Sequence, residues 1–405
     1  MVSNLVGPPV RLDDFYGRDA FIDLVWEKLA LGNVVLAAPR RFGKTSVMYR
    51  LMDKPRDGYV FIHADLEHMA QPAELITVLA VQLARAKDGR LARIAQGLSY
   101  FPQALWSGVR KTVDEVELVN VKLKLREELR PRWQESGEEL FKKIAQLQTP
   151  VVFVLDEFPM MIDRMACSDA HRGEAKTLLR WLRTVRQSPD LKSVRFLIAG
   201  SIGIGRVLNE LGEINAINDF EQVRLAPFTQ KVAMAFLSEL AKTNKLTLDD
   251  PTKQRMLELI GSPVPYFIQV IFSEAAKAHK LDGEQLTPEK VAQVYREKVL
   301  GVDCKTYFDH YYSRLRDYYQ PQEEKAVKRM LRELATVGSL TRDACFQFYK
   351  EKLAERADVE EFNLTMSDLE NDFYVRFDFA ARRYEFACQL LRDWWLRHYG
   401  MSTEV

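Results

Sequence analysis

Two stretches of this chain carry residue types that could do chemistry together. The first is Ala38-Pro39-Arg40-Arg41-Phe42-Gly43-Lys44-Thr45-Ser46. It follows the apolar run Val34–Ala37 and precedes Val47, Met48, Leu51 and Met52 at helical spacing. Strand, loop and helix in that order are the context a phosphate-binding loop requires. Backbone N–H groups of such a loop wrap a phosphate chain, and the helix N-terminus adds partial positive charge. Gly43 permits close backbone approach, Lys44 suits the β- and γ-phosphates, and the Thr45 hydroxyl suits Mg²⁺. The motif G-x-x-x-x-G-K-[ST] has Ala38 in place of its first glycine. If that position needs φ > 0, alanine costs on the order of 1 kcal/mol there.

The second stretch is Val151-Val152-Phe153-Val154-Leu155-Asp156-Glu157. Five apolar residues ending in two carboxylates read as a buried strand with acids at its C-terminal end. Ligands of parallel α/β sheets sit at that end. Asp156 suits the Mg²⁺ shell, and Glu157 suits a general base that orients or deprotonates an attacking water.

The elements that must position these groups are also legible. Residues 58–65 and 194–201 predict two further strands, and a fifth falls near 222–225. Ser201 ends its strand either as a γ-phosphate sensor between the two motifs or as a cap for the next helix. Phe15-Tyr16-Gly17-Arg18-Asp19 precedes an amphipathic helix. The aromatic pair Phe15-Tyr16 either flanks an adenine base or packs the helix entry as a hydrophobic staple, and Tyr16 and Arg18 count among the candidate nucleotide-binding residues. Residues 72–87 and 138–147 are helical by pattern. Residues 88–135 look inserted, either as a partner or lid element or as sheet-edge packing. Within them Val119, Val121, Leu123 and Leu125 alternate with polar residues, the period of a half-exposed strand.

Residues 229–300 predict a helical lid interrupted by the turn Gly261-Ser262-Pro263. Aromatics crowd residues 301–322 at helical spacing, which reads as a packing face rather than a base-stacking platform. Helices over 323–334, 340–348 and 366–371, then a hairpin over 373–378 and 382–386, form a winged-helix pattern. Its recognition region, 360–372, is acidic, whereas DNA reading needs phosphate-neutralising Lys or Arg. A packing or protein-contact role is therefore favoured over DNA binding. Arg376, Arg382 and Arg383 keep DNA as the alternative. Residues 390–395 predict a docking helix.

Composition bounds these readings. At roughly 150 residues per domain, 405 residues imply two or three domains. The divisions read from the patterns are 1–228, 229–300 and 301–405. Lys plus Arg number 58 and Asp plus Glu 57, so a globally basic nucleic-acid coat is absent. The four cysteines have no metal or CxxC spacing and read as buried free thiols. No apolar run reaches the ~20 residues of a membrane helix, and the N-terminus lacks a signal-peptide pattern. A cytoplasmic protein without membrane association is expected.

The motifs together resemble archaeal-type ATPases of the STAND group, signal-transduction ATPases related to AAA+ proteins. F-Y-G-R at 15–18 resembles that group's F-x-G-R-E. P-R-R-F-G-K-T-S resembles its G-P-R-R-x-G-K-T-S loop, and L-D-E-F-P its acidic strand. Gly261-Ser262-Pro263 resembles its G-x-P turn, and the ending at Trp395 the close of its winged-helix domain. The resemblance implies an α/β P-loop NTPase sheet with helices on both faces, a helical lid and a C-terminal winged helix. It implies an ATP-dependent switch that controls a partner or its own assembly. Carried over, Lys44, Thr45 and Asp156 hold phosphate and Mg²⁺, Glu157 positions water, and Arg41 lies beside the phosphates. Two other functions compete. One is a DNA-loading or transposition-type AAA+ ATPase using the winged helix. The other is an ATP-bound scaffold with little hydrolysis. ATP is favoured over GTP because no guanine-reading N-K-x-D occurs downstream.

Overall fold

The computed structural model describes residues 2–56, 58–86, 88–99, 101, 115–147, 149–168, 170–200, 203–353 and 357–400. They form two compact units. One comprises 18–38 and 44–225, and the other 1–17, 39–43 and 226–405.

The first unit is built on five parallel strands: β1 (Asn33–Ala37), β2 (Val60–Asp65), β3 (Val151–Asp156), β4 (Val194–Gly200) and β5 (Phe220–Arg224). Their order is β2-β3-β4-β1-β5. All six residues of β3 are buried, so both faces of the sheet are covered, as parallel sheets require. On one face Val151, Phe153 and Leu155 join a core with helices 72–85, 133–145, 158–166 and 172–187. There the Phe141 ring meets Phe153 at 5.2 Å and Phe196 at 5.5 Å. Helix 19–31 covers the opposite face, where Trp26 meets Phe61 edge-on at 5.6 Å.

The expected half-exposed strand around 119–125 is instead part of a helix, Glu115–Leu129. The alternation of Val119, Val121, Leu123 and Leu125 is overruled by helix formers. Glu, Lys, Leu and Arg fill the segment, and no Gly or Pro bounds a strand. Leu125 and Leu129 are buried four residues apart, while Val119 and Leu123 stay exposed. The helix packs on helix 72–85, and Arg126 pairs with Glu74 at 3.1 Å.

In the second unit, helices 230–243, 250–260, 265–282 and 288–294 follow one another, the last running into a π-helical turn at 295–299. Gly261 ends helix 250–260 with φ +80°. A Cβ there would sit 2.7 Å from the Gln389 nitrogen, so the turn needs both the left-handed backbone and the missing side chain. Ser262 Oγ donates to the Ala387 carbonyl at 2.8 Å.

Helices 305–313, 315–318, 321–337, 342–353, 359–371 and 389–399 complete the unit with a small antiparallel sheet. Its strands are β6 (Ser339–Thr341), β7 (Val375–Asp378) and β8 (Arg383–Phe386), in the order β6-β8-β7. Helix 359–371 starts at residue 359, seven residues ahead of its expected start, because Asp358 caps the N–H groups of Glu360 and Glu361. The aromatics of 301–322 pack inward, with Phe308 and Tyr311 buried, and Trp394 and Trp395 dock helix 389–399. Cys304, Cys345 and Cys388 are buried free thiols, but Cys167, expected to be buried too, is exposed beyond the end of helix 158–166.

Helix 359–371 ends in a Schellman motif. Tyr374 N–H donates to the Leu369 carbonyl at 2.8 Å, and Phe373 N–H to the Glu370 carbonyl at 3.2 Å. The left-handed position of that motif, usually glycine, is Phe373 at φ +66°. A side chain there costs about 1 kcal/mol relative to glycine.

Candidate functional site

Helix 44–53 starts directly after the loop, so Lys44 and Thr45 occupy its first turn. The N–H groups of that turn have no intrahelical acceptor and point out of the helix end. Gly43 has φ +92°, and nothing lies within 4 Å of where its Cβ would be. Its requirement is conformational. Ala38 is buried and does not adopt φ > 0, so the penalty considered for it does not arise. The left-handed residues of the loop are Arg41, at φ +68°, and Gly43.

Lys44 Nζ donates to Glu157 Oε1 at 2.7 Å and lies 3.4 Å from Asp156 Oδ1. The three side chains are 9%, 17% and 10% exposed, so the ion cluster is largely desolvated. Successive residues of a strand point to opposite faces, and two adjacent acids would not normally share one cation. The backbone resolves this. Glu157 turns left-handed at φ +54°, ψ 29°, immediately after β3. Its N–H donates to Asp156 Oδ1 at 3.0 Å, and both carboxylates reach the same ammonium.

Burial pushes the Asp156 carboxyl above the ordinary aspartate range. The Lys44 ammonium opposes that rise and the Glu157 carboxylate adds to it. His63, on β2, also acts electrostatically on Asp156. Burial lowers the His63 imidazole, while Asp156 and Asp65 pull it up. Its Nε2 is buried and, among the described residues, has no hydrogen-bond partner. Sequence reading passed over His63. Its signal is modest: a polar residue near the end of the strand that pairs with β3, in register with Val154.

The other candidates are placed as follows. Thr45 is half-buried and Ser46 buried in the first turn of helix 44–53. Ser201 lies outside the described residues. The strand it follows, β4, runs between β1 and β3, with Ala37 in register with Gly200 and Leu155 with Ile198. Arg18 stands at the N-cap of helix 19–31, and burial brings its guanidinium down to about 10. The Tyr16 ring packs on Phe236 at 5.2 Å.

Pro39–Gly43 group with the second unit. The Phe42 ring is 2% exposed and meets Phe373 edge-on at 4.8 Å. The Arg41 guanidinium lies 4.9 Å over the Tyr266 ring and donates to the Gly7 carbonyl at 3.2 Å. Pro39 is buried and Arg40 exposed.

The arrangement offers one ammonium and two carboxylates at the C-terminal end of a parallel strand, beside a helix N-terminus. Asp156 and Thr45 present oxygen donors of the kind magnesium takes, and Asp156 already faces a cation. Among the described residues no cluster of three or more His, Cys, Asp or Glu could hold a metal by itself. Magnesium bound through one or two protein oxygens plus phosphates does not need such a cluster. No helix among them is long and apolar enough to cross a membrane.

No protein-family model and no curated protein sequence matches the chain. Among solved structures it is similar to a Walker-type ATPase of Pyrococcus abyssi, with TM-score 0.61 at 16% identity over 96% of this chain and 99% of that one. It is also similar to the ORC2 protein of Aeropyrum pernix, solved in ADPNP and ADP complexes. There the TM-score is 0.50 at 12% identity, over 96% of this chain and 95% of that one. At such identities the likeness is one of fold: the chain has the α/β fold of P-loop NTPases.

Proposed function

We propose that this protein is a Mg²⁺-dependent ATPase of the STAND/AAA+-like group that works as a nucleotide-controlled switch. The observation that carries the reading is the buried ion cluster of Lys44, Asp156 and Glu157. Desolvated charges are retained at a cost, and perturbed groups at strand ends concentrate where chemistry is done. The fold shared with a Walker-type ATPase supports the same reading.

In this account Lys44 exchanges partners. Without nucleotide its ammonium neutralises the two carboxylates. With nucleotide it turns to the β- and γ-phosphates, helped by the N–H groups of residues 40–46. That exchange frees Asp156 to join Thr45 as a magnesium ligand and frees Glu157 to hold the attacking water. Bound magnesium supplies charge neutralisation at the phosphates. Ser201 senses the γ-phosphate, and Tyr16 and Arg18 flank the base. Residues 229–300 serve as the lid and 301–405 as a winged helix. Differential contact with the γ-phosphate gives the two states. The output is a protein partner or self-assembly, supported by an acidic helix 359–371 and by Phe379, 86% exposed beyond β7. A cytoplasmic location fits this role.

Isothermal titration of the whole protein with ATP and Mg²⁺ tests the reading. Binding is expected, and Lys44→Ala abolishes it. Unchanged affinity in that variant contradicts the assignment.

A DNA-binding reading draws on Arg376, Arg382 and Arg383. It is weaker, because Arg376 is paired with Glu385 at 2.7 Å and helix 359–371 holds four acids and no Lys or Arg. Salt-sensitive duplex binding that is lost with Arg382 and Arg383 would reverse that preference. Single-turnover phosphate release separates the switch from an ATP-bound scaffold.

A further inference from the structure

In the second unit a cavity of about 210 Å³ lies between the end of helix 250–260 and the start of helix 389–399. The turn at Gly338 and strands β7 and β8 complete its wall, which is mostly polar. Two glycines keep it open. Gly261 and Gly338 have φ +80° and +94°. A Cβ at 338 would come 3.3 Å from Arg392 Nη2, and one at 261 would come 2.7 Å from the Gln389 nitrogen. The missing side chains therefore leave space beside two N–H donors.

Those donors have no protein acceptor. Arg392 donates through Nε to the Ala335 carbonyl at 2.9 Å, while its Nη1 and Nη2 have no hydrogen bond or ion pair among the described residues. The edge that remains free presents two parallel N–H groups, the fork that matches a carboxylate. The Gln389 N–H opens its helix, where no intrahelical acceptor exists. The other charges of the wall are matched locally. Arg376 pairs with Glu385 at 2.7 Å, and Glu258 with Arg255 at 3.2 Å. Burial pushes the Cys388 thiol up to about 12, so it stays neutral. Arg392 is half-buried and is the cation of this wall without a carboxylate among the described residues.

Size and charge narrow the ligand. The volume is below the about 300–1,000 Å³ of drug-sized sites, so it suits a small metabolite. Glu258 and Glu385 line the same cavity, so a second negative charge is repelled and an ammonium attracted.

We propose that this cavity binds a small α-amino acid, its carboxylate on Arg392 and the Gln389 N–H and its ammonium toward Glu258 and Glu385. The ligand bridges residues 258–261 and 385–392, stretches already joined nearby by the Ser262–Ala387 hydrogen bond. The site lies wholly within the second unit and owes nothing to the nucleotide-binding reading.

Isothermal titration of the full chain without nucleotide tests this, with glycine, L-alanine, L-serine and L-threonine as probes. Glycinamide lacks the carboxylate, acetate lacks the ammonium, and succinate and inorganic phosphate carry extra negative charge. At least one amino acid is expected to bind saturably and more tightly than all four controls. Arg392→Gln is expected to weaken it by about tenfold or more, the scale of a charge-assisted hydrogen-bonded pair. Only the binding that Arg392→Gln loses is assigned to this cavity, so phosphate held elsewhere does not count. Glu258→Gln changes an exposed side chain and spares the fold. It is expected to weaken the amino acid by about two- to fivefold and to tighten succinate. No saturable binding of any amino acid, or tighter Arg392-dependent binding of succinate or phosphate, overturns the proposal. Unchanged amino-acid affinity in Arg392→Gln does the same. Where that variant melts early, unchanged affinities in Glu258→Gln overturn it instead.

Discussion

Replacing Lys44 by methionine tests the buried ion cluster quantitatively. The substitution keeps chain length and removes the charge. Asp156 and Glu157 are then left side by side, 10% and 17% exposed, with the Glu157 N–H on Asp156 as a remaining donor. Removing one partner of a buried pair costs about 3–5 kcal/mol, and the partial exposure of Glu157 favours the lower end. For a unit of roughly 200 residues, about 3 kcal/mol corresponds to a fall in Tm of roughly 6–12 °C.

The deficit also depends on pH, with a definite sign. Asp156 already has its folded pKa above the unfolded value, through burial. Such an acid holds its proton more tightly when folded, so the fold gains stability as pH falls through the folded pKa toward the ordinary value of 3.8. Lys44 is the strongest influence opposing that rise, and its loss raises the pKa further. The variant's deficit therefore narrows as pH falls from neutral toward that ordinary value of 3.8. The assay is differential scanning fluorimetry across that range, with and without MgATP. At a nucleotide concentration of about 100 Kd, wild type should gain about 2.7 kcal/mol, or roughly 5–11 °C, and the variant nothing. A variant as stable as wild type at neutral pH, or one shifted equally by MgATP, refutes the reasoning.

Glu157→Gln should retain ATP binding and slow turnover by about 10²-fold or more, read by steady-state phosphate release; a normal rate removes Glu157 from the mechanism. His310 is held down to about 3 by burial, with Arg41, Arg40 and Arg314 acting in the same direction. The unfolded chain takes up that proton near pH 6.5 and the folded chain does not, so stability falls as pH drops between 6.5 and about 3. Denaturant titrations should show His310→Gln with a shallower loss, by up to about 1.4 kcal/mol per pH unit. Trp394→Ala removes a fully buried ring from helix 389–399 and should cost about 3–5 kcal/mol in urea unfolding.

The parts of this structure legible in advance are those written locally. β1 and β3 are apolar runs; the D-E pair falls where β3 stops, and G-K-T falls beyond the loop that follows β1, at the start of helix 44–53. The Gly261 turn and the docking helix at Trp394 and Trp395 announce themselves through a glycine and an aromatic pair. Helix 115–129 was misleading because its apolar residues alternate, although most of its other residues are strong helix formers. The spacing of two carboxylates on one strand end said nothing of how both could reach one lysine. That needs the left-handed backbone of Glu157, which no side-chain pattern encodes. His63 and Phe373 escaped for a related reason. Their significance lies with residues far along the chain: His63 acts electrostatically with Asp156, Phe373 meets Phe42, and Phe373 sits where sequence rules expect glycine.

The most direct measurement is a structure of the protein with Mg²⁺ and a non-hydrolysable ATP analogue. The account predicts that the Lys44 ammonium leaves Glu157 for the β- and γ-phosphates, with Thr45 and Asp156 on the metal and Glu157 facing the γ-phosphate. An analogue bound elsewhere, or a Lys44 that stays between Asp156 and Glu157 with nucleotide present, would contradict it.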